Sequence, residues 1–444
     1  MTASTHPVPG APVALRRVLG PWDLTAVGIN QVIGGAIFLI PSQLAAHIGN
    51  WSPFAYIGGG LVTLLVAVCL AEVASRFDRT GGTYVYVRAA FGGFVGFEVG
   101  WMQWFTRASS QASVVSGITM ALAYYWPGAS TGLTRALIVV SITVGLAIVN
   151  VRGARQSAVV IDLLTAAKLA PLLIFVVAGT GVVAWPSLRG VPPLAVSDAA
   201  GAALIMVFAF GGFDTLTAVA GESRNPRSDV PRALIVTVVV VTALMGLVQL
   251  VTMGALADVG SSATPVADAA FTLMGWTGAL LIGVGSIVSM LGNNAGGAFS
   301  GSRILYGLAE DGDLPSALAR VHPVYRTPVA AIWAHTLVVL ALALTGSFAV
   351  LATASALARL VTYTGGTAAT LALRGERFRG AVMPPRFVAP GGSILPVVAT
   401  IASAALIVGA SRQQLLSGGA VLATGAAVRM LCRRWPLGSS AVQR

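Results

Sequence analysis

Apolar residues in this chain gather into runs of roughly 20, separated by short polar segments, from one end of the sequence to the other. A helix rises 1.5 Å per residue, so a run of that length crosses the hydrocarbon core of a bilayer. The pattern predicts twelve spans, at 22–46, 53–75, 93–125, 134–151, 157–183, 197–221, 232–256, 276–308, 328–346, 349–372, 394–410 and 414–431. Inside lipid the backbone must satisfy its own hydrogen bonds, so the spans are helices and the fold class is an all-α membrane protein.

Two of these runs are interrupted at mid-depth. Span 6 carries Gly211-Gly212, then Asp214 and the polar exit Gly221-Glu222-Ser223-Arg224-Asn225-Pro226. Span 1 carries Asn30-Gln31-Val32-Ile33-Gly34-Gly35-Ala36-Ile37-Phe38. Each glycine lowers helix propensity by about 1 kcal/mol. Backbone that leaves the helix in a membrane persists only where protein or a watery cavity satisfies it. One reading of each break is close packing of small residues; the other is a binding site for something polar. Their relation favours the second. Five spans separate the breaks, and the two helices run in opposite directions, as expected of inverted repeats flanking a transporter's central site. The chain then divides into a tail (1–21), a first repeat (22–183), a second (197–372), two further helices (394–431) and a second tail (432–444).

Composition narrows the class. The chain is 56% apolar and 9% charged, with mean hydropathy +0.84, whereas soluble proteins carry about 25% charged residues. The net charge of +12 does not form a nucleic-acid patch. With the N-terminus in the cytoplasm, 21 of the 27 basic residues fall on inside segments. Arg135, Arg189 and Arg412 lie outside, and Arg107, Lys168 and Arg359 lie within spans. That bias predicts a multi-pass protein of the cell (inner or plasma) membrane with both termini cytoplasmic. Met1 to Leu19 lacks the pattern of a cleavable signal. Cys69 and Cys432 have no partner spacing, and His6, His47, His322 and His335 are scattered, so neither metal, disulfide nor other cofactor is expected. No nucleophile–base constellation appears, and an enzyme is not expected.

Four ordered motifs carry a family resemblance across residues 20–330. They are Ile33-Gly34-Gly35-Ala36-Ile37-Phe38; Ala71-Glu72-Val73 with Gly81-Gly82-Thr83-Tyr84-Val85-Tyr86; Phe208-Ala209-Phe210-Gly211-Gly212-Phe213-Asp214 with Glu222, Asn225, Pro226 and Pro231; and Ser302-Arg303-Ile304-Leu305-Tyr306-Gly307 through Pro315. Together they resemble the amino acid–polyamine–organocation superfamily of transporters. The resemblance implies a LeuT-like fold: five-plus-five inverted repeats, spans 1 and 6 broken, and two extra C-terminal helices. It also implies that the amides of Gly34, Gly35 and Ala36 hold a substrate carboxylate, as a half-helix N-terminus suits an anion. Carbonyls of Phe208, Ala209 and Gly211, with Ile33, would hold its amino group, and Gly212 completes the second break. Phe208 is then either an aromatic gate or an ordinary core residue. Gly35 stands where the family usually has serine, and Ala36 where it has glycine.

Lys168, the chain's only lysine, sits deep in span 5. An intramembrane charge costs about 2.5–3.5 kcal/mol on insertion scales and marks function by default. In sodium-independent relatives a span-5 lysine stands where others hold sodium. By that resemblance the Lys168 ammonium replaces a cation, and its titration can couple transport to protons; a purely structural ammonium is the alternative. Asp214 reads either as a gate or proton acceptor, or as an acid complementing the dipole of the half-helix it opens. Glu98, Arg107 and Arg359 keep open roles. Glu72, Glu222 and Arg303 near cytoplasmic span ends suit an inner-gate ion network, and Asn293 and Asn294 suit hydrogen bonds between helices.

The expected function is secondary active transport of an amino acid, a neutral one, by alternating access and with H+ as a candidate co-substrate. The alternatives are an amine, polyamine or other organic-cation transporter or exchanger, and beyond these a receptor or channel. The expected partners are the substrate and the lipid bilayer, with no nucleic acid.

Overall fold

The computed structural model describes residues 15–123, 126–181, 195–346, 348–408 and 412–434. Most of both expected tails, with His6, Arg189 and Arg444, lies outside the described residues, as do the last residues expected for spans 3, 5 and 11. Among the described residues every regular element is a helix.

Helix α1 (Pro21–Val32) opens on a proline, harmless where a first-turn N–H has no helical partner anyway. Asp23 Oδ2 accepts the Gly20 N–H at 2.7 Å and caps the same end. The helix stops at Val32 because Ile33 turns to φ −78°, ψ 84°, and α2 (Ala36–Ile48) restarts beyond Gly34 and Gly35. There follow α3 (Ser52–Ala74), α4 (Thr83–Phe91), α5 (Gly93–Ala123), α6 (Gly132–Arg152) and α7 (Ala154–Gly179). Helix α8 (Val196–Ala209) ends at the second break, and α9 (Thr215–Ala218) is a single turn beyond it. Then come α10 (Pro226–Ala255), α11 (Pro265–Glu310), α12 (Val329–Thr345), α13 (Phe348–Leu373), α14 (Ile394–Val408) and α15 (Arg412–Arg434).

Two elements differ from the hydropathy reading. Helix α4 occupies what reads as a loop: its 9 residues are too few for periodicity to reveal. Glycines at positive φ, Gly82 and Gly92, delimit it at either end. Helix α11 begins 11 residues before the expected 276, but Gly275 (φ 65°, ψ −156°) breaks it there, so its long arm starts where the apolar run does.

The radial distribution of side chains is that of a membrane protein. Large apolar residues face outward, among them Leu163, Leu173 and Val177 on α7, Leu337 on α12 and Ile401 on α14. Polar groups turn inward, including Asn30, Gln31, Gln103, Lys168, Asp214 and Arg303. Six helical stretches of the described residues are long and apolar enough to cross a membrane; α12 and α14 are apolar but shorter, at 17 and 15 residues. Small residues let these rods approach closely, as packing in lipid requires. A Cβ at Gly60 would strike Thr242 where α3 meets α10, and one at Gly179 would strike Val251. At the centre, α5 and α7 pack on α11, α13 packs on α5, and α1 lies against α7, α10 and α11.

Candidate functional site

The first break is stitched to α11 through its freed carbonyls. Asn293 Nδ2 donates to the Gln31 carbonyl at 2.8 Å, and Gln31 Nε2 returns a bond to the Asn293 carbonyl at 2.7 Å. Ser289 Oγ donates to the carbonyls of Gly34 (2.9 Å) and Ile33 (3.1 Å). The Asn30 amide donates to the Gly292 carbonyl. On the other side of the gap, α2 begins at Ala36, and the first N–H groups of a helix have no partner within it. The Gly34 N–H, by contrast, is already donated to the Val32 carbonyl at 2.9 Å. Gly35 and Ala36 are half-buried, whereas Ile33 and Gly34 are buried. Asn294 departs from expectation: its amide bonds the Met290 carbonyl of its own helix, one turn back, rather than a neighbouring helix.

Lys168 rises from α7 into this break. Its Nζ donates to the carbonyls of Ile33 (2.6 Å), Asn30 (3.1 Å) and Ser289 (3.2 Å), and the side chain is fully buried. An ammonium has three N–H donors, and three carbonyls receive them. With Ser289 and Lys168 both donating to it, the Ile33 carbonyl has its two lone pairs engaged, so a substrate amino group would need the other acceptors.

The second break faces the first directly. Gly212 adopts φ +129°, and a Cβ there would lie 2.5 Å from the Gln31 carbonyl oxygen. Only glycine allows both that backbone conformation and that approach. Past the end of α8, the Phe210 N–H donates to the Met206 carbonyl at 2.9 Å and the Gly211 N–H to the Phe208 carbonyl at 3.1 Å. The Phe208 ring is half-buried against the core, and Ala209 is buried.

Asp214 sits at the start of α9 but makes no side-chain cap bond there. Its carboxylate turns instead to α5, where Oδ2 pairs with Arg107 and accepts from Gln103 Nε2 at 3.4 Å. Oδ1 receives the Tyr363 hydroxyl of α13 at 3.5 Å. The open role of Arg107 resolves here into a buried ion pair. Glu98, on the same helix, has both carboxylate oxygens buried without a hydrogen-bond partner among the described residues. Arg359 of α13 lies against the second break so closely that a Cβ at Gly211 would collide with its guanidinium.

Further ion pairs lie beyond the breaks, two of them at the residues singled out above. Glu222 and Arg303 pair at 3.0 Å, both fully buried, with Arg303 also bound to Asn150 Oδ1 and stacked over Phe299 at 4.2 Å. Glu72 binds Arg374 Nε at 2.8 Å and accepts the Ala389 N–H at 2.8 Å. Those hydrogen bonds hold the Arg374 guanidinium above its ordinary value. Glu72 also has Arg76 at 3.7 Å, so it sits between two arginines, and no ion pair among the described residues joins this group to Glu222 and Arg303. Ser289, Gln103, Asn150 and Arg374 escape a sequence reading because a lone polar residue in a span, or an arginine in a loop, says nothing about its partner.

Comparison with known proteins shows the family. A family model described as amino acid permease matches residues 19–417. A serine/threonine exchanger of Bacillus subtilis (strain 168) is 30% identical over 335 residues, covering 72% of this chain and 74% of its own. A branched-chain amino acid permease of the same organism is 26% identical over 413 residues, 87% of each chain. Its methylthioribose transporter is 27% identical over 405 residues, 87% of this chain and 86% of its own. Because the family match takes in both helix breaks and every helix from α1 to α14, this chain belongs to the amino acid permease family of the amino acid–polyamine–organocation superfamily, and is a multi-pass membrane permease rather than an enzyme.

Proposed function

We propose that this permease is a secondary transporter of the cell membrane that moves an amino acid by alternating access. Its twelve spans form LeuT-like inverted repeats with both termini cytoplasmic. The observation that carries the proposal is the apposition of the two breaks, with Gly212 against the Gln31 carbonyl. Peptide groups freed from two oppositely directed helices are thereby concentrated at one place, as a zwitterion requires. The amides of Gly35 and Ala36 receive the carboxylate and the carbonyls of Ala209 and Gly211 the amino group, with Phe208 closing over them. The Gly34 amide and the Ile33 and Phe208 carbonyls already hold protein partners and shape the site instead.

Lys168 occupies the place of a bound cation, tying α7 to the break through three carbonyls. This arrangement supports the ammonium as a fixed substitute for a metal ion, with proton coupling through its titration as the finer role. The exchanger and branched-chain permease among the relatives support an amino acid substrate. A polyamine is disfavoured by the Arg359 guanidinium standing at the second break.

Purified protein screened by thermal shift against the twenty amino acids, followed by radiolabelled uptake into proteoliposomes, tests this. A substrate at 100 times its Kd stabilises the folded state by about 2.7 kcal/mol. Saturable uptake with counterflow is the expected result. Ion conductance without saturable uptake would make the protein a channel instead.

A further inference from the structure

Charge at the two breaks does not balance. Lys168, Arg107 and Arg359 bring three cations, and Asp214 is the one carboxylate that the described residues bring against them. Lys168 is satisfied by neutral carbonyls. Asp214 is committed to Arg107, Gln103 and Tyr363. Arg359 feels that same carboxylate only at longer range, without a direct ion pair.

Its surroundings sharpen the point. Arg359 is 4% exposed. Among the described residues its single protein acceptor is the Phe208 carbonyl, 3.4 Å from Nη1, and its buried Nε has no hydrogen-bond partner. A guanidinium offers five N–H donors in a planar fork suited to two carboxylate oxygens. Buried in a membrane with no direct ion pair, such a group is costly, and it marks a place where an anion arrives. The guanidinium stands beside Gly211 at the second break, so the arriving anion belongs to whatever occupies the proposed site.

We infer that the permease takes an amino acid with a second carboxylate, of the aspartate or glutamate class, and that Arg359 receives the side-chain carboxylate. The inference rests on the transport reading above and departs from the neutral substrate that the sequence leads one to expect. The α-carboxylate keeps the amides that open α2, while the side-chain carboxylate supplies the charge that Asp214 cannot. Arg359 is then a specificity-determining residue, one helical turn from Tyr363 on the same face of α13.

The test is a competition of L-glutamate and L-aspartate against their amides, L-glutamine and L-asparagine, and against L-arginine, read by thermal shift and by uptake into proteoliposomes. The amides match the acids in shape and remove only the charge. The acids are expected to act at concentrations at least about tenfold lower, the equivalent of one charge-assisted hydrogen bond. Arg359→Gln is expected to bring acid and amide to near parity in the thermal shift, and Arg359→Lys to fall between. If the unmodified protein binds or transports neutral or cationic amino acids with no preference for the acids, the inference fails and the transport reading stands. If no amino acid of any charge shifts the melting point or enters the vesicles, the transport reading fails and takes the inference with it. The selectivity of the unmodified protein is itself decisive, so a variant that does not fold leaves the outcome intact.

Discussion

The Lys168 ammonium donates to the Ile33 carbonyl at 2.6 Å, bridging the middle of α7 to the point where α1 comes apart. Ser289 donates to the same oxygen at 3.1 Å from α11. One carbonyl freed by the break is thus the junction of three helices. On the reading proposed above, that junction fixes the geometry of the gap in which substrate is held.

Replacing Lys168 should therefore disable transport without unfolding the protein. Lys168→Met keeps length and apolar volume but strips the bonds to Asn30, Ile33 and Ser289. Each of these charge-assisted bonds is worth about 1.5–3 kcal/mol, so their loss loosens the break and is expected to weaken substrate binding by at least about tenfold. Uptake in proteoliposomes should drop accordingly, while the size-exclusion profile in detergent stays monodisperse. Unaltered uptake would assign Lys168 a structural role alone.

Gly212 should tolerate no side chain. Gly212→Ala places a methyl 2.5 Å from the Gln31 carbonyl oxygen at φ +129°. Strain of that kind costs of order 1–3 kcal/mol. A lowered melting temperature, with uptake lost, is the expected outcome. Gly145→Ala, on a helical face of α6 with nothing within 4 Å of the added methyl, is the control and should be neutral or slightly stabilising.

Gly35 should behave in the opposite way. A Cβ there meets only Met290, at an ordinary 3.6 Å. Gly35→Ser, which restores the hydroxyl usual in the family motif, should fold normally and leave the melting temperature unchanged. In the proposed pose the added donor faces the substrate carboxylate, so the apparent Kd should fall several-fold, within the ~0.5–1.5 kcal/mol of a typical hydrogen bond. A destabilised protein would contradict the open space at this position.

The Glu222–Arg303 pair should be strongly asymmetric under mutation. Both side chains are fully buried, so Glu222→Gln leaves a buried guanidinium without its counter-ion. Removing one partner of such a pair costs about 3–5 kcal/mol. Removing both, as in Glu222→Gln with Arg303→Met, should recover a large part of that loss. Chemical denaturation in detergent reads the difference, and equal losses in the single and double variants would show the pair to be energetically idle.

Orientation can be checked independently of activity. With Cys69 and Cys432 replaced, Ser261→Cys in the exposed α10–α11 loop should react with a membrane-impermeant maleimide in intact cells. Glu376→Cys, exposed just after α13, should react only once the membrane is opened. The reverse pattern would invert the topology drawn from the arginine distribution.

The hydrophobic runs, the arginines on alternate loops and the glycine pairs inside two runs were all readable in the linear chain. Each is a local property: burial in lipid demands an apolar helix, the translocation machinery sorts basic loops, and glycine weakens a helix wherever it stands. Helix α4 stayed hidden because nine residues give no usable period. Partners stayed hidden for a different reason. Nothing about Arg107 or Arg359 as letters says that one pairs directly with Asp214 while the other, among the described residues, hydrogen-bonds the Phe208 carbonyl.

The sequence by itself determined that this is a helical membrane protein with a glycine-weakened point in each of two spans, because in lipid an apolar run of about 20 residues satisfies its own backbone as a helix. Tertiary structure decided which freed peptide groups are closed by Lys168, Ser289 and Asn293. It also decided which buried charges cancel. Both are settled by distances of a few ångströms between helices far apart in the chain, and hydropathy carries no record of them.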